Sequence, residues 1–268
     1  MTEMTLSKRK WTLLVAFLVV FIAGLMGGVI VRRSTLRSTV AVASDTFAEY
    51  RKPKNQRLID EFHRLYYYST GTDKEASSVF WLGIPVWKNP MDLWVMQEII
   101  SETKPDVIIE AGTYKGGSAF YLTKICDLLD HGRIISLDIN DFPDKPQHKR
   151  ITYLVGDDVA ESTVEKVKAL IRPGETVMVD LDDGHESAHV LQELEIYGKL
   201  VTKGNYLIVE DTNLGTIVAT DPGHFREHGG PQLALQEFLK RNNDFVPDSS
   251  REKFLLTFNR GGYLRKTR

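Results

Sequence analysis

The chain has 268 residues, 42% of them hydrophobic, and a formal net charge of −2. That length suits one globular domain of about 200 residues with an appendage, large enough for a full core. The balanced charge leaves no electrostatic footprint for nucleic acid. The lone cysteine, Cys126, excludes an internal disulfide, and on the apolar face of a predicted helix it reads as a buried structural thiol rather than a nucleophile.

The first element is the uncharged run Trp11–Val31, 21 residues long. At 1.5 Å per residue it spans roughly 30 Å, the thickness of a hydrocarbon core, and so predicts a transmembrane helix. A cleaved signal peptide is the rival, with "AVAS" at Ala41–Ser44 as its cleavage site. The run is too long for a signal core, however, and Arg32 and Arg33 follow it directly. Gly24 and Gly28 form a GxxxG, either a helix-pairing face or ordinary membrane-helix composition. Residues 1–10 form a short tail, 32–55 a polar, basic linker, and 56–268 the folded domain. Flanking positive charges are nearly tied between the two ends, so orientation must be argued from function.

Beyond Pro105 the pattern alternates regularly. Strands are predicted over 106–111, 133–138, 151–155, 175–182 and 204–210, with helices near 117–130, 159–171 and 187–200. Near-continuous apolar strands such as "VIIEA" and "YLIVE" are what a sheet buried on both faces requires. The alternation predicts an α/β, doubly wound, parallel sheet, whose ligands sit beyond the carboxyl ends of the strands. Every one of those ends is acidic: Glu110; Asp138; Asp157 and Asp158; Asp182 and Asp183; Glu210 and Asp211. Any one of these acids could be a helix cap. Five in register point to ligands.

A dinucleotide would rest its pyrophosphate on the first turn, against helix N–H groups. Glu110 would repel it there. A ligand with a cationic centre and no phosphate fits better, and S-adenosylmethionine is such a ligand. Gly112 and Gly116 would admit its methionine part to the backbone. Asp138 would grip the ribose hydroxyls, and Asp157 and Asp158 would border the adenine. Tyr114 and Ser118, in the same turn, join the cofactor candidates.

Asp182, Glu210 and Asp211 would converge at one rim. Three such carboxylates repel unless a cation sits among them, and a hard divalent ion such as Mg²⁺ supplies one. Asp183 is the alternative ligand, and each acid could instead cap the element after it. His185, three residues past Asp182, is placed to take a proton from a substrate hydroxyl. His189, one turn further on, is expected to face packing or solvent.

These blocks, with "FWLGIPVWKNPMDL" before them and "FLLTFNRGGYLRK" after, resemble the cephalosporin hydroxylase / rhamnosyl O-methyltransferase family from about Phe80 to the C-terminus. The resemblance implies the Rossmann-like class I methyltransferase fold with a mostly parallel seven-stranded sheet. It also implies S-adenosylmethionine at Glu110, Gly112, Ser118 and Asp138, and Mg²⁺ at Asp182, Glu210 and Asp211. More distantly, the pattern is similar to metal-dependent catechol-type O-methyltransferases, in which a lysine base stands where this chain has His185. None of the seven histidines has an acid two residues on, which disfavours a non-haem iron hydroxylase.

The loop "TNLGTIVATDPGHFREHGGPQ" would cover the metal rim, with His224, Phe225, Arg226 and His228 as acceptor contacts or as solvated loop residues. "PQLALQEFLKRNNDF" reads as a helix, and "EKFLLTF" with "GGYL" as a closing antiparallel hairpin. "LYYYSTG" and "VFWLGIPVW" are either core aromatics or walls of the acceptor pocket. The expectation is therefore a single-pass membrane O-methyltransferase with its catalytic domain on the cytoplasmic side, where the methyl donor is. Its acceptor would be a small molecule or glycolipid hydroxyl, and a homo-oligomer is allowed. The alternatives are a non-catalytic, donor-binding partner of a separate hydroxylase and a nucleotide-dependent oxidoreductase.

Overall fold

Strand β3, Val107–Ala111, shows why these apolar runs become a central sheet. Val107, Ile109 and Ala111 point to one face and Ile108 to the other, and all are fully buried. In the computed structural model the described residues are 53–69, 79–216 and 224–268. The chain divides into Met1–Asn55 and Gln56–Arg268, and only residues 53–55 of the first unit are described. The run Trp11–Val31 and the linker as far as residue 52 lie outside the described residues. Among the described residues no helix is long and apolar enough to cross a membrane.

Helix α1, Pro53–Ser69, precedes a short hairpin of β1 (Phe80–Trp81) and β2 (Ile84–Pro85). Helix α2, Pro90–Thr103, follows, opened by the Asn89 side chain accepting from Met91 N and by Pro90 in its first turn. After β3 come α3 (Gly117–Leu129), β4 (Arg133–Asp138), β5 (Ile151–Val155), α4 (Glu161–Ala169), β6 (Val177–Leu181), α5 (Ser187–Tyr197) and β7 (Tyr206–Val209). The chain closes with α6 (His224–His228), α7 (Pro231–Arg241), β8 (Phe245–Pro247), a 3₁₀ turn and β9 (Tyr263–Lys266).

The seven-stranded sheet has the order β5-β4-β3-β6-β7-β9-β8. Strands β3 to β7 are parallel, and β9 runs antiparallel to both β7 and β8. One apolar layer joins Val107, Ile109, Val179 and Leu207 to Val190, Leu194 and Phe238 of α5 and α7. The other joins Ile108, Ile134, Met178 and Ile208 to Met96, Ile99 and Leu122 of α2 and α3, and includes Cys126. Removing such a side chain to alanine costs about 2–5 kcal/mol.

The chain order reverses between β3 and β6, so the crevice opens there. One predicted element moves. The partner of β9 is Phe245–Pro247, not "EKFLLTF". That segment is captured instead by Asp92 of α2, whose carboxylate accepts from Phe258 N at 2.9 Å and from Tyr263 Oη at 2.8 Å. Phe258 stacks on the buried ring of His63 in α1, with centroids 5.1 Å apart.

Candidate active site

A cavity of about 700 Å³ lies over the carboxyl ends of β3, β4, β6 and β7. The turn after β3 makes its first wall. Gly112 adopts φ +97°, and a Cβ there would stand 1.9 Å from the Asp182 carbonyl oxygen. A side chain on Gly117 would stand 2.0 Å from Pro85 O, and one on Gly116 3.0 Å from Pro146 and Tyr153. These glycines therefore admit the protein's own backbone and side chains, a tighter demand than the approach of a ligand.

Tyr114 N donates to Asp138 Oδ2 and Asn140 N to Asp138 Oδ1, both at 2.8 Å, so the carboxylate is aimed by two amides. The Tyr114 ring lies between Trp87 and Phe142, with centroids 5.3 and 5.2 Å away. Tyr114, Ser118, Asp138, Asp157 and Asp158 all line the cavity. Glu110 is fully buried beside them. Its Oε2 accepts from Ser136 Oγ at 2.6 Å, and its Oε1 has no hydrogen-bond partner among the described residues. Burial pushes its carboxyl up to about 7, against the opposing pull of Lys88, Ser118 and Ser136.

The acid rim holds a residue that strand-end reasoning missed. Lys88, just before α2, is 2% exposed, and its Nζ lies 2.7 Å from Asp182 Oδ2, 3.3 Å from Asp180 Oδ2 and 2.9 Å from Glu210 Oε1. The ammonium stays charged because the three acids outweigh its desolvation. Part of the cation demand read from the acids is thus met by the chain itself. The Glu210 contact is an ion pair without the alignment of a hydrogen bond. Asp180, directly opposite Glu110, lies within strand β6 and not at its end. The available signals were a lysine between an aromatic and a helix cap, "VWKNP", and an acid within an apolar strand, "VMVDL".

Asp182, His185 and Asp211 come together, each offering a ligand atom within 4.8 Å of the others. His185 Nε2 is 3.4 Å from Asp211 Oδ2. Asp211 holds a left-handed φ of +52°, with its amide donating to Asn259 Oδ1 at 3.1 Å. Burial pushes its carboxyl up to about 6 despite His185. Glu210 is not part of this group; its carboxylate is turned to Lys88. The two carboxylates, open to the cleft, fit a hard divalent ion with the His185 imidazole beside them, and Asp182 is shared between that group and Lys88.

His189 does not face plain packing or solvent. Its Nε2 lies 3.1 Å from Asp158 Oδ1 and 3.5 Å from Asp183 Oδ2, contacts that raise its pKa to about 10. Phe225, Tyr67 and Tyr68 line the cavity, whereas His224 pairs with Glu186 at 3.1 Å and His228 lies 3.9 Å from Glu227. The Arg226 side chain and residues 217–223 lie outside the described residues.

Five parallel strands reversing at β3/β6, a last strand inserted antiparallel, and a cleft walled by the β3 turn and the Asp138 carboxylate define the class I methyltransferase fold. The family model Rhamnosyl O-methyltransferase/CmcI matches residues 73–267, and the chain belongs to that family of S-adenosylmethionine-dependent O-methyltransferases. Rhamnosyl O-methyltransferase of Mycobacterium leprae (strain TN) is 30% identical over 218 residues, 77% of this chain and 90% of that protein. Its counterpart in Mycobacterium tuberculosis (strain ATCC 25618 / H37Rv) is also 30% identical, over 77% of this chain and 84% of its own length. The solved structure described as cmcI-D160 Mg-SAM is 23% identical, with TM-score 0.54 over 71% of this chain and 77% of its own. The CmcI-N160 apo-structure gives 22% and 0.53, over 71% and 76%. These two likenesses bear on the fold.

Proposed function

We propose that the chain transfers the methyl group of S-adenosylmethionine to a hydroxyl of a sugar or glycolipid, with Mg²⁺ in attendance. One observation carries the reading: the Asp138 turn and the Asp182–His185–Asp211 group open into a single cavity. Asp138, held by two backbone amides, would bind the donor's ribose hydroxyls, and the Tyr114–Ser118 turn would hold its amino-acid end. Asp182 and Asp211 would hold the Mg²⁺. When bound, that ion supplies Lewis acidity that lowers the pKa of the acceptor hydroxyl. His185 takes the hydroxyl proton, with Asp211 at 3.4 Å to orient the ring and balance its charge. Lys88 cannot serve as this base, since its carboxylates keep it protonated. Its part is to hold Asp182 in place. Much of the acceleration then comes from positioning oxygen and methyl in line.

Two features support a lipid-borne acceptor. Leu58, Phe62 and Leu65 are exposed at helical spacing on α1, which also brings Tyr67 and Tyr68 to the cavity. The run Trp11–Val31 supports anchoring, with the catalytic domain on the cytoplasmic side where the donor is made; protease protection of the domain in intact inside-out vesicles, whose cytoplasmic face is outward, would reverse that placement. Incubating the full chain with methyl-labelled donor and membrane extract tests the activity. A labelled glycolipid formed only with divalent ion is expected. Donor binding with no labelled product from any acceptor would instead favour a non-catalytic partner protein.

A further inference from the structure

We propose that Asp158, Asp183, His189 and Glu193 form a second cation site, suited to a divalent transition ion such as Mn²⁺ or Zn²⁺, in the wall of the cleft and separate from the Asp182–His185–Asp211 group. Three pieces of chain build it. Asp158 comes from the loop after β5 and Asp183 from the loop after β6. His189 and Glu193 stand four residues apart on one face of α5. One ligand atom from each residue lies within 4.8 Å of the other three.

The second observation is a set of orphaned atoms. Asp158 is 4% exposed and Glu193 1%, yet among the described residues Asp158 Oδ2 and Glu193 Oε1 are buried with no hydrogen-bond partner. His189 Nε2, 3.1 Å from Asp158 Oδ1, is also without an aligned partner. Among the described residues no lysine or arginine pairs with any of these three acids, so one imidazole faces three carboxylates. Burial, with Asp183 and Asp158 alongside, pushes the Glu193 carboxyl well above its ordinary range, so without an ion the cluster holds a proton in its place. An ion at their centre would satisfy the free oxygens and the ring nitrogen together.

The frame around the four is rigid. A Cβ on Gly184 would lie 2.7 Å from His189 Cδ2, so the ring packs directly on the Gly184 backbone and cannot swing away on that side. Tyr197 Oη donates to the Asp158 carbonyl at 2.8 Å and fixes the loop that carries Asp158. One nitrogen with three oxygens suits Mn²⁺, Fe²⁺ or Zn²⁺, whereas Mg²⁺ favours oxygen alone. Asp158, Asp183 and His189 line the cleft, which gives the ion its path of entry. Once bound, it would lock the loops after β5 and β6 against α5 and so stiffen the adenine side of the donor pocket.

The test counts Mn²⁺ bound per full-length chain, read from the electron paramagnetic resonance of the free ion. Two ions are expected for the natural chain and one for the Asp182→Asn/Asp211→Asn double variant. Glu193→Gln or His189→Gln added to the double variant should bring the count to none, with the circular-dichroism melt checking that each protein is folded. His224→Gln should leave every count unchanged. A natural chain that binds a single ion, and loses it on Asp211→Asn alone, overturns the proposal even where the double variant fails to fold. So does a double variant that binds none, or a count lowered by His224→Gln, which would place the ion on the exposed Glu186–His224–His228 group.

Discussion

Two groups of three carboxylates, two buried and one half-buried in each, flank the end of β6, and they solve the same electrostatic problem differently. Asp180, Asp182 and Glu210 surround Lys88, a cation delivered from the segment before α2. Among the described residues, Asp158, Asp183 and Glu193 surround a single basic group, His189, and oxygens of Asp158 and Glu193 have no hydrogen-bond partner. The first group carries a permanent, built-in countercharge. The second is left to protons or to an ion. A lysine cage holds catalytic ligands in one arrangement, whereas a cage without a lysine can change with what it binds.

The sharpest way to break this comparison is Lys88→Met. It strands three carboxylates and should cost about 3–5 kcal/mol in urea unfolding, together with turnover. A loss of turnover at unchanged stability would mean that the ammonium acts on substrate rather than on its acids.

Glu110 sharpens the same point through pH. Its folded carboxyl titrates near 7 and its unfolded one near 4.5, so the folded chain holds the proton more tightly. Stability of the ligand-free protein should therefore fall as pH rises from 4.5 through 7, by about 3 kcal/mol at most. Glu110→Gln should remove that part of the pH dependence, as read from denaturant midpoints across the range. An identical pH profile in the variant would show that Glu110 is already ionised in its pocket.

Smaller effects separate the two halves of the cleft. Asp211→Asn should lower metal-dependent turnover about 100-fold, with donor affinity unchanged in calorimetry. Asp138→Ala should do the reverse and weaken donor binding about tenfold, the worth of one charge-assisted hydrogen bond. Equal loss of donor affinity in both variants would merge what the geometry keeps apart.

Much of the scaffold was legible because its signals are local. A strand buried on both faces must be apolar throughout, so β3, β4, β5, β6 and β7 lay within a residue or two of their observed bounds. The glycine turn and the acids after each strand were equally readable, since chain order in a parallel sheet brings those ends to one rim. The closing hairpin was misplaced because "EKFLLTF" looks like a strand by composition. Its fate was set by Asp92, which claims the Phe258 amide from 166 residues away along the chain.

What the sequence by itself determined is the alternation of strand and helix, and with it the class of fold and the line of acids along one rim. What only the tertiary structure decided is which acid meets which cation. Lys88 reaches Asp182 across 94 residues, His189 joins Asp158 to Asp183, and Glu110 ends on Ser136 rather than in the open cleft. Periodicity is a property of neighbours along the chain. Charge compensation depends on distance in space, and only packing sets that.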